Sequence, residues 1–145
     1  MVEDVLSIIE IAAAREQVWR ALTRPEQVVQ WMGCLQFQPL AGHVFYLQPD
    51  KARRLAGDIT DAIACRIEVL DQPRRLSFSW GFPDIPDTSV DIRLRRIPCG
   101  THVRLTHSGW NQFEDRESEM MRGGMGRAWH TVALPALKVV AEGSG

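Results

Sequence analysis

The stretch Arg15–Trp31 reads REQVWRALTRPEQVVQW and decides the fold. Ala14, Val18 and Leu22 recur every fourth residue, with Trp19 and Ala21 beside that stripe, so Ala14–Leu22 is predicted to be an amphipathic helix. Thr23-Arg24-Pro25-Glu26 then reads as a fresh helix start. Thr23 can accept from the amide of Glu26, whose carboxylate can reach back, and proline in a first turn sacrifices no helical hydrogen bond. The second helix carries Val28, Val29 and Trp31 toward a core. Two short helices in succession cannot bury their apolar faces alone, so the unit must lie against a sheet.

The flanking segments supply that sheet. Val5–Ala12, rich in isoleucine, reads as a first strand. Cys34–Leu40 alternates Leu35 and Phe37 with Gln36 and Gln38, and His43–Leu47 follows the Gly42 turn. Asp50–Gly57 is polar and reads as loop. In Ile63–Val69, Ile63, Cys65, Ile67 and Val69 share one face, opposite Arg66 and Glu68. Asp71-Gln72-Pro73 turns the chain into Arg75–Phe82, with Leu76, Phe78, Trp80 and Phe82 on one side. Thr88–Ile97 faces Val90, Ile92 and Leu94 inward and Asp91, Arg93 and Arg95 outward. Thr101–Ser108 closes the set with Val103 and Leu105 inward. Short connections imply antiparallel neighbours.

The C-terminal segment is helical. Met121, Met125, Ala128, Val132, Ala136 and Val139 recur at spacings of four and three, widened by Trp129, Ala133 and Leu137. Gly123, Gly124 and Gly126 each weaken such a helix by ~1 kcal/mol. Pro135 removes the bond back to Thr131 and should bend it there. Packing on the sheet must therefore hold it.

The order strand, two helices, about six strands, long helix predicts an α+β architecture: a curved antiparallel sheet of six to seven strands around a C-terminal helix. With those motifs in place, the chain resembles the START-like or SRPBCC superfamily, with its Bet v 1-like helix-grip fold. Within it, the chain is similar to the C-terminal domain of activators of the heat-shock-protein-90 ATPase. Three phrases carry the resemblance: Val18-Trp19 through Ala21-Leu22-Thr23, Pro25-Glu26 and Trp31; Pro73-Arg74-Arg75-Leu76-Ser77-Phe78-Ser79-Trp80; and Thr101, Val103, Leu105, Thr106-His107-Ser108-Gly109-Trp110. Two features depart from the family pattern. Trp129 follows Arg127-Ala128 where a Gly-Trp pair is usual, and the segment after His43 lacks a run of glycines.

Composition narrows the function. A chain of 145 residues, 45% hydrophobic and with a formal charge of -1, fits one globular domain, residues 1–145. That charge favours neither nucleic acid nor an anionic membrane. Arg74-Arg75 and Arg93/Arg95/Arg96 are local basic clusters without interleaved aromatics, and read as solvated strand faces and turns. No apolar run nears the ~20 residues of a membrane span, and the acidic N-terminus does not read as a signal peptide. A cytoplasmic location follows as an expectation. Cys34, Cys65 and Cys99 fit neither a disulfide framework nor a zinc pattern, and are read as reduced and mostly buried. No metal or cofactor is expected.

Strand parity and helix spacing nominate a cavity wall: Phe37, Phe78, Trp80, Ile92, Val103, Leu105 and His107 from the sheet, and Met121, Met125, Trp129 and Val132 from the helix. An apolar hollow with a few polar groups suits a small lipophilic or amphipathic ligand; the alternative is that the side chains simply fill it. His107 has two readings, a polar or acid/base group facing a ligand, or a histidine satisfied by the backbone. His43 and Tyr46 have opposite parity, so only one can face in; His102 should face out and His130 lie at the rim. Motifs of nucleophilic, phosphate-binding and zinc enzymes are absent. The leading expectation is a binding module, ahead of a cyclase, dehydratase or hydrolase using the same space. Co-chaperone action is implied only by the resemblance. A homodimer through a sheet edge or a helix face is an open expectation.

Overall fold

The computed structural model describes residues 4–81, 87–110 and 115–143, with the backbone alone for 115–121. In chain order its elements are β1 (Val5–Ile11), α1 (Arg15–Thr23), α2 (Pro25–Met32), β2 (Cys34–Leu35), β3 (Val44–Leu47), α3 (Lys51–Leu55), β4 (Ile63–Asp71), β5 (Arg75–Trp80), β6 (Thr88–Ile97), β7 (Gly100–Ser108), α4 (Asp115–Ala128), a π turn (Trp129–Ala133) and α5 (Leu134–Gly143). The strands form one curved antiparallel sheet in the order β1-β7-β6-β5-β4-β3-β2. The C-terminal helix lies along it, packed on β1, and α1 and α2 pack on α5. This is the α+β helix-grip architecture.

The core lies between the concave sheet face and the helices. Val18, Trp19, Ala21 and Leu22 of α1 are buried with Val28 and Trp31 of α2. Leu76, Phe78, Val90, Ile92, Val103 and Leu105 are fully enclosed on β5, β6 and β7. The β6–β7 turn presses against the end of β1. Gly100 stands there at φ +149°, and a Cβ on it would come within 2.0 Å of the Ile11 carbonyl oxygen, so only glycine fits.

Several local expectations are corrected. Thr23 does not cap α2: Arg24 is the cap residue, and the Thr23 hydroxyl donates back to the Trp19 carbonyl at 2.7 Å. Val29 is largely exposed. The Cys34 strand stops at Leu35 because Gln36 adopts φ 62°, and that twist carries Phe37 into the core independently of parity. Asp50–Gly57 is not all loop, since Asp50 accepts from the Arg53 amide at 3.0 Å and starts α3. A bulge between Ile67 and Val69 switches parity in β4, so Val69 pairs with outward-facing Ser77 and Leu70 with buried Leu76. Cys99 is exposed, whereas Cys34 and Cys65 are buried. Phe82 lies outside the described residues.

The largest correction concerns the C-terminal helix. Instead of only bending at Pro135, it takes up a π turn over Trp129–Ala133, closed by the Leu134 amide donating to the Trp129 carbonyl. The extra residue per turn rotates everything beyond it. Val132 and Val139, expected inward, are 65% and 72% exposed, while Leu134, Leu137 and Ala141 take the core positions. A proline without an N–H is easily accommodated where the ladder already steps from i−4 to i−5.

Candidate functional site

A run of aromatic rings crosses the concave face. Phe37 meets Phe45 at 5.0 Å between centroids, and Phe45 meets Phe78 at 5.4 Å. Phe78 meets Trp80 at 6.4 Å, and Trp80 meets Trp129 at 5.3 Å and His107 at 5.5 Å. His107 in turn lies 4.5 Å from Trp110. Alternation in β3 and β5 supplies Phe45, Phe78 and Trp80, the last inward position of β7 supplies His107, and the start of the π turn supplies Trp129.

At its far end the run becomes polar inside. The Trp129 indole N–H donates to His107 Nδ1 at 3.1 Å. An indole nitrogen is only a donor, so Nδ1 accepts and Nε2 carries the proton. Nε2–H then donates to the Thr88 hydroxyl at 2.6 Å, and that hydroxyl donates to the Trp80 carbonyl at 3.3 Å. The Trp110 indole N–H caps the His107 carbonyl at 2.9 Å. His107 is wholly enclosed. Burial pushes its pKa down to about 3, because a charged imidazole would lose its hydration. Both nitrogens are therefore engaged by protein groups, and the ring is neutral.

Of the nominated residues, the structure brings Phe37, Phe78, Trp80, Ile92, Val103, Leu105, His107 and Trp129 onto one buried surface. Met125 is half-buried against it, and the Met121 side chain lies outside the described residues. Val132 points away. Phe45, Thr88 and Trp110 lie on the same buried surface and were not nominated for it. Phe45 and Thr88 could have been found from parity with Leu47 and Val90. The fold-back of Trp110 had no signal beyond its place in the third phrase.

The other candidates fall elsewhere. His43 Nε2 donates to the Gln36 carbonyl outside the ring run, Tyr46 is half-buried, and His130 is exposed with Nδ1 3.5 Å from the Ser7 hydroxyl. Burial raises the Cys34 thiol to about 11 and pushes Cys65 up further, which keeps both as unreactive thiols. Among the described residues no three His, Cys, Asp or Glu side chains converge as a metal site. Nor is any described helix long and apolar enough to cross a membrane.

Above this surface α4 carries Gly123, Gly124 and Gly126. A Cβ at Gly123 or Gly124 would meet nothing within 4 Å, whereas one at Gly126 would touch Val5 at 3.7 Å. Val5 stands opposite His107 in the β1–β7 register, so Gly126 lies against the β1 residue that pairs with His107.

A family model described as "Activator of Hsp90 ATPase homolog 1-like protein" matches residues 12–136. Solved structures share the fold. Protein MLL2253 from Mesorhizobium loti is 23% identical over 99% of both chains, with a TM-score of 0.81. CalU16 from Micromonospora echinospora is 24% identical over 98% of this chain and 76% of its own, with a TM-score of 0.73. The Aha1 dimer from Colwellia psychrerythraea is 17% identical over 99% of this chain and 100% of its own, with a TM-score of 0.66. No curated protein resembles the chain closely enough to count as a match.

Proposed function

Because the chain belongs to the family of activator of Hsp90 ATPase homolog 1-like proteins, whose fold leaves a concave sheet beneath a helix, we propose that it is a binding module. Its ligand is a small apolar or amphipathic molecule held between the sheet and the C-terminal helix. One observation supports this reading above others: the concave face bears a run of rings from Phe37 to Trp110 whose imidazole is satisfied on both nitrogens by Thr88 and Trp129, while α4 carries no side chain at Gly123 and Gly124. The rings are enclosed, so a guest gains their area by parting the C-terminal helix from the sheet. Burial at ~25 cal/mol per Å² of apolar area then gives the affinity. Half-buried Met125, with its flexible thioether, can reshape to the guest.

A thermal-shift screen with native mass spectrometry against lipids, sterols and aromatic metabolites tests the reading. A retained compound that raises the melting temperature is expected. A screen in which nothing is retained and nothing stabilises would end it. The enzyme alternative requires His107 to exchange a proton with a substrate, which means opening a bond to Thr88 or Trp129; unchanged turnover in His107→Ala would exclude that residue. Stimulation of the heat-shock protein 90 ATPase rests on the family's name, and a pulldown with the chaperone addresses it. A homodimer would be served by β1, an edge strand with Leu6 and Ile8 exposed, and sedimentation of Ile8→Lys against the parent chain checks it.

A further inference from the structure

The convex side of the sheet holds a second feature, independent of the interior. Register places Arg75 opposite Arg93, and Arg93 opposite Arg104, so three guanidinium groups form one row across β5, β6 and β7. Arg95 stands opposite His102 in the next outward row. Like charges directly opposite one another destabilise a sheet. Asp91 offsets part of this, bonding Arg75 at 2.6 Å and Arg93 at 2.8 Å. Arg74 is held by Asp71 at 3.2 Å, and Glu10 faces His102 from β1.

The row ends in a notch. The β5–β6 pairing stops at Arg75 and Arg93, while β6 runs on beside β7 to Ile97. The Leu94 amide bonds the Arg74 carbonyl at 2.8 Å, and beyond it the β4–β5 turn leaves a hollow of about 650 Å³. Arg15, Arg74, Arg75, Arg93, Arg95 and Arg104 line it with His102, and Asp71 is the one carboxylate in its wall. Arg15 lines both this hollow and a second one beside the β6–β7 turn, and its Nε is buried with no hydrogen-bond partner among the described residues. Six arginines gathered here in a chain whose formal charge is -1 are a local arrangement, not a bulk property.

We infer that this notch is an anion site for a small molecule bearing clustered phosphate groups. Guanidinium forks match phosphate oxygens in bidentate pairs, and Asp91 and Asp71 hold three of the forks in place. The volume suits a small molecule. Among the described residues no Phe, Tyr or Trp ring lines the notch to stack successive nucleobases, as a single-stranded nucleic acid would require. The occupant relieves the repulsion within the row.

Calorimetric titration with inorganic tripolyphosphate tests the site, using the parent chain, the double variant Arg93→Gln/Arg104→Gln, and Arg53→Gln on distant α3 as control. Saturable one-to-one binding is expected for the parent and the control, weakened at least tenfold in the double variant. The single variant Arg104→Gln, at an exposed position, repeats the test should the double variant fail to fold. Absent binding, or equal binding by all variants, overturns the site. Attachment to vesicles carrying a phosphorylated inositol headgroup without binding of free tripolyphosphate would also overturn it, because the surface would then be a lipid contact.

Discussion

Trp129 and His107, 22 positions apart, are joined by a 3.1 Å hydrogen bond whose direction fixes the tautomer of the imidazole. The indole can only donate, so the proton resides on Nε2, facing Thr88. A proton added at Nδ1 would displace that indole. The pKa of about 3 has burial as its cause, and this bond opposes protonation in the same direction.

A pH dependence follows. In the unfolded chain His107 takes up a proton near pH 6.5, while in the folded chain it does so only near 3. Between those values the unfolded state binds more protons, so stability is full above 6.5 and falls on acidification, by at most about 1.4 kcal/mol per pH unit from this group. Nitrogen NMR of the imidazole should show the neutral Nε2–H form at pH 5. Half-protonation near 6.5 would contradict it.

Removing the donor should be costly. Trp129→Phe keeps a ring in place but leaves Nδ1 buried and unpaired, at about 1–3 kcal/mol plus the packing lost. Urea unfolding at neutral pH measures this. A loss below about 0.5 kcal/mol would mean that the bond does not hold the helix to β7.

Two glycine substitutions should act in opposite senses. Gly124→Ala meets open space within a helix and should stabilise by up to about 1 kcal/mol. Gly100→Ala drives a methyl group against the Ile11 carbonyl and should cost more than about 3 kcal/mol, separating the β6–β7 turn from β1. Paired thermal and denaturant curves read both, and equal effects would refute the contrast.

Much of this was legible in the chain. Clean alternation in Thr88–Ile97 and Thr101–Ser108 placed Ile92, Val103, Leu105 and His107 inward, because period-two burial leaves a direct trace. The helix pair showed in Val18, Trp19, Leu22 and Trp31. What stayed hidden were local departures from period: the left-handed Gln36, the bulge after Ile67 and the π turn. Each inserts or twists a single residue and moves every later side chain to another face, which no window of hydrophobicity records. The partners of His107 were hidden for another reason, since Trp129 and Thr88 reach it only through tertiary packing. The convex arginine row read as solvated surface until strand register set Arg75, Arg93 and Arg104 side by side.

The interior site is tested most directly by following the indole N–H resonances of Trp80, Trp110 and Trp129 as one equivalent of each apolar compound is added. A ligand seated beneath the helix should shift the Trp80 and Trp129 signals saturably, with Trp31, whose indole is tied to the Ala21 carbonyl at 2.8 Å, unmoved. Ligands that bind while leaving Trp80 and Trp129 unchanged, or no ligand that binds at all, would contradict the account.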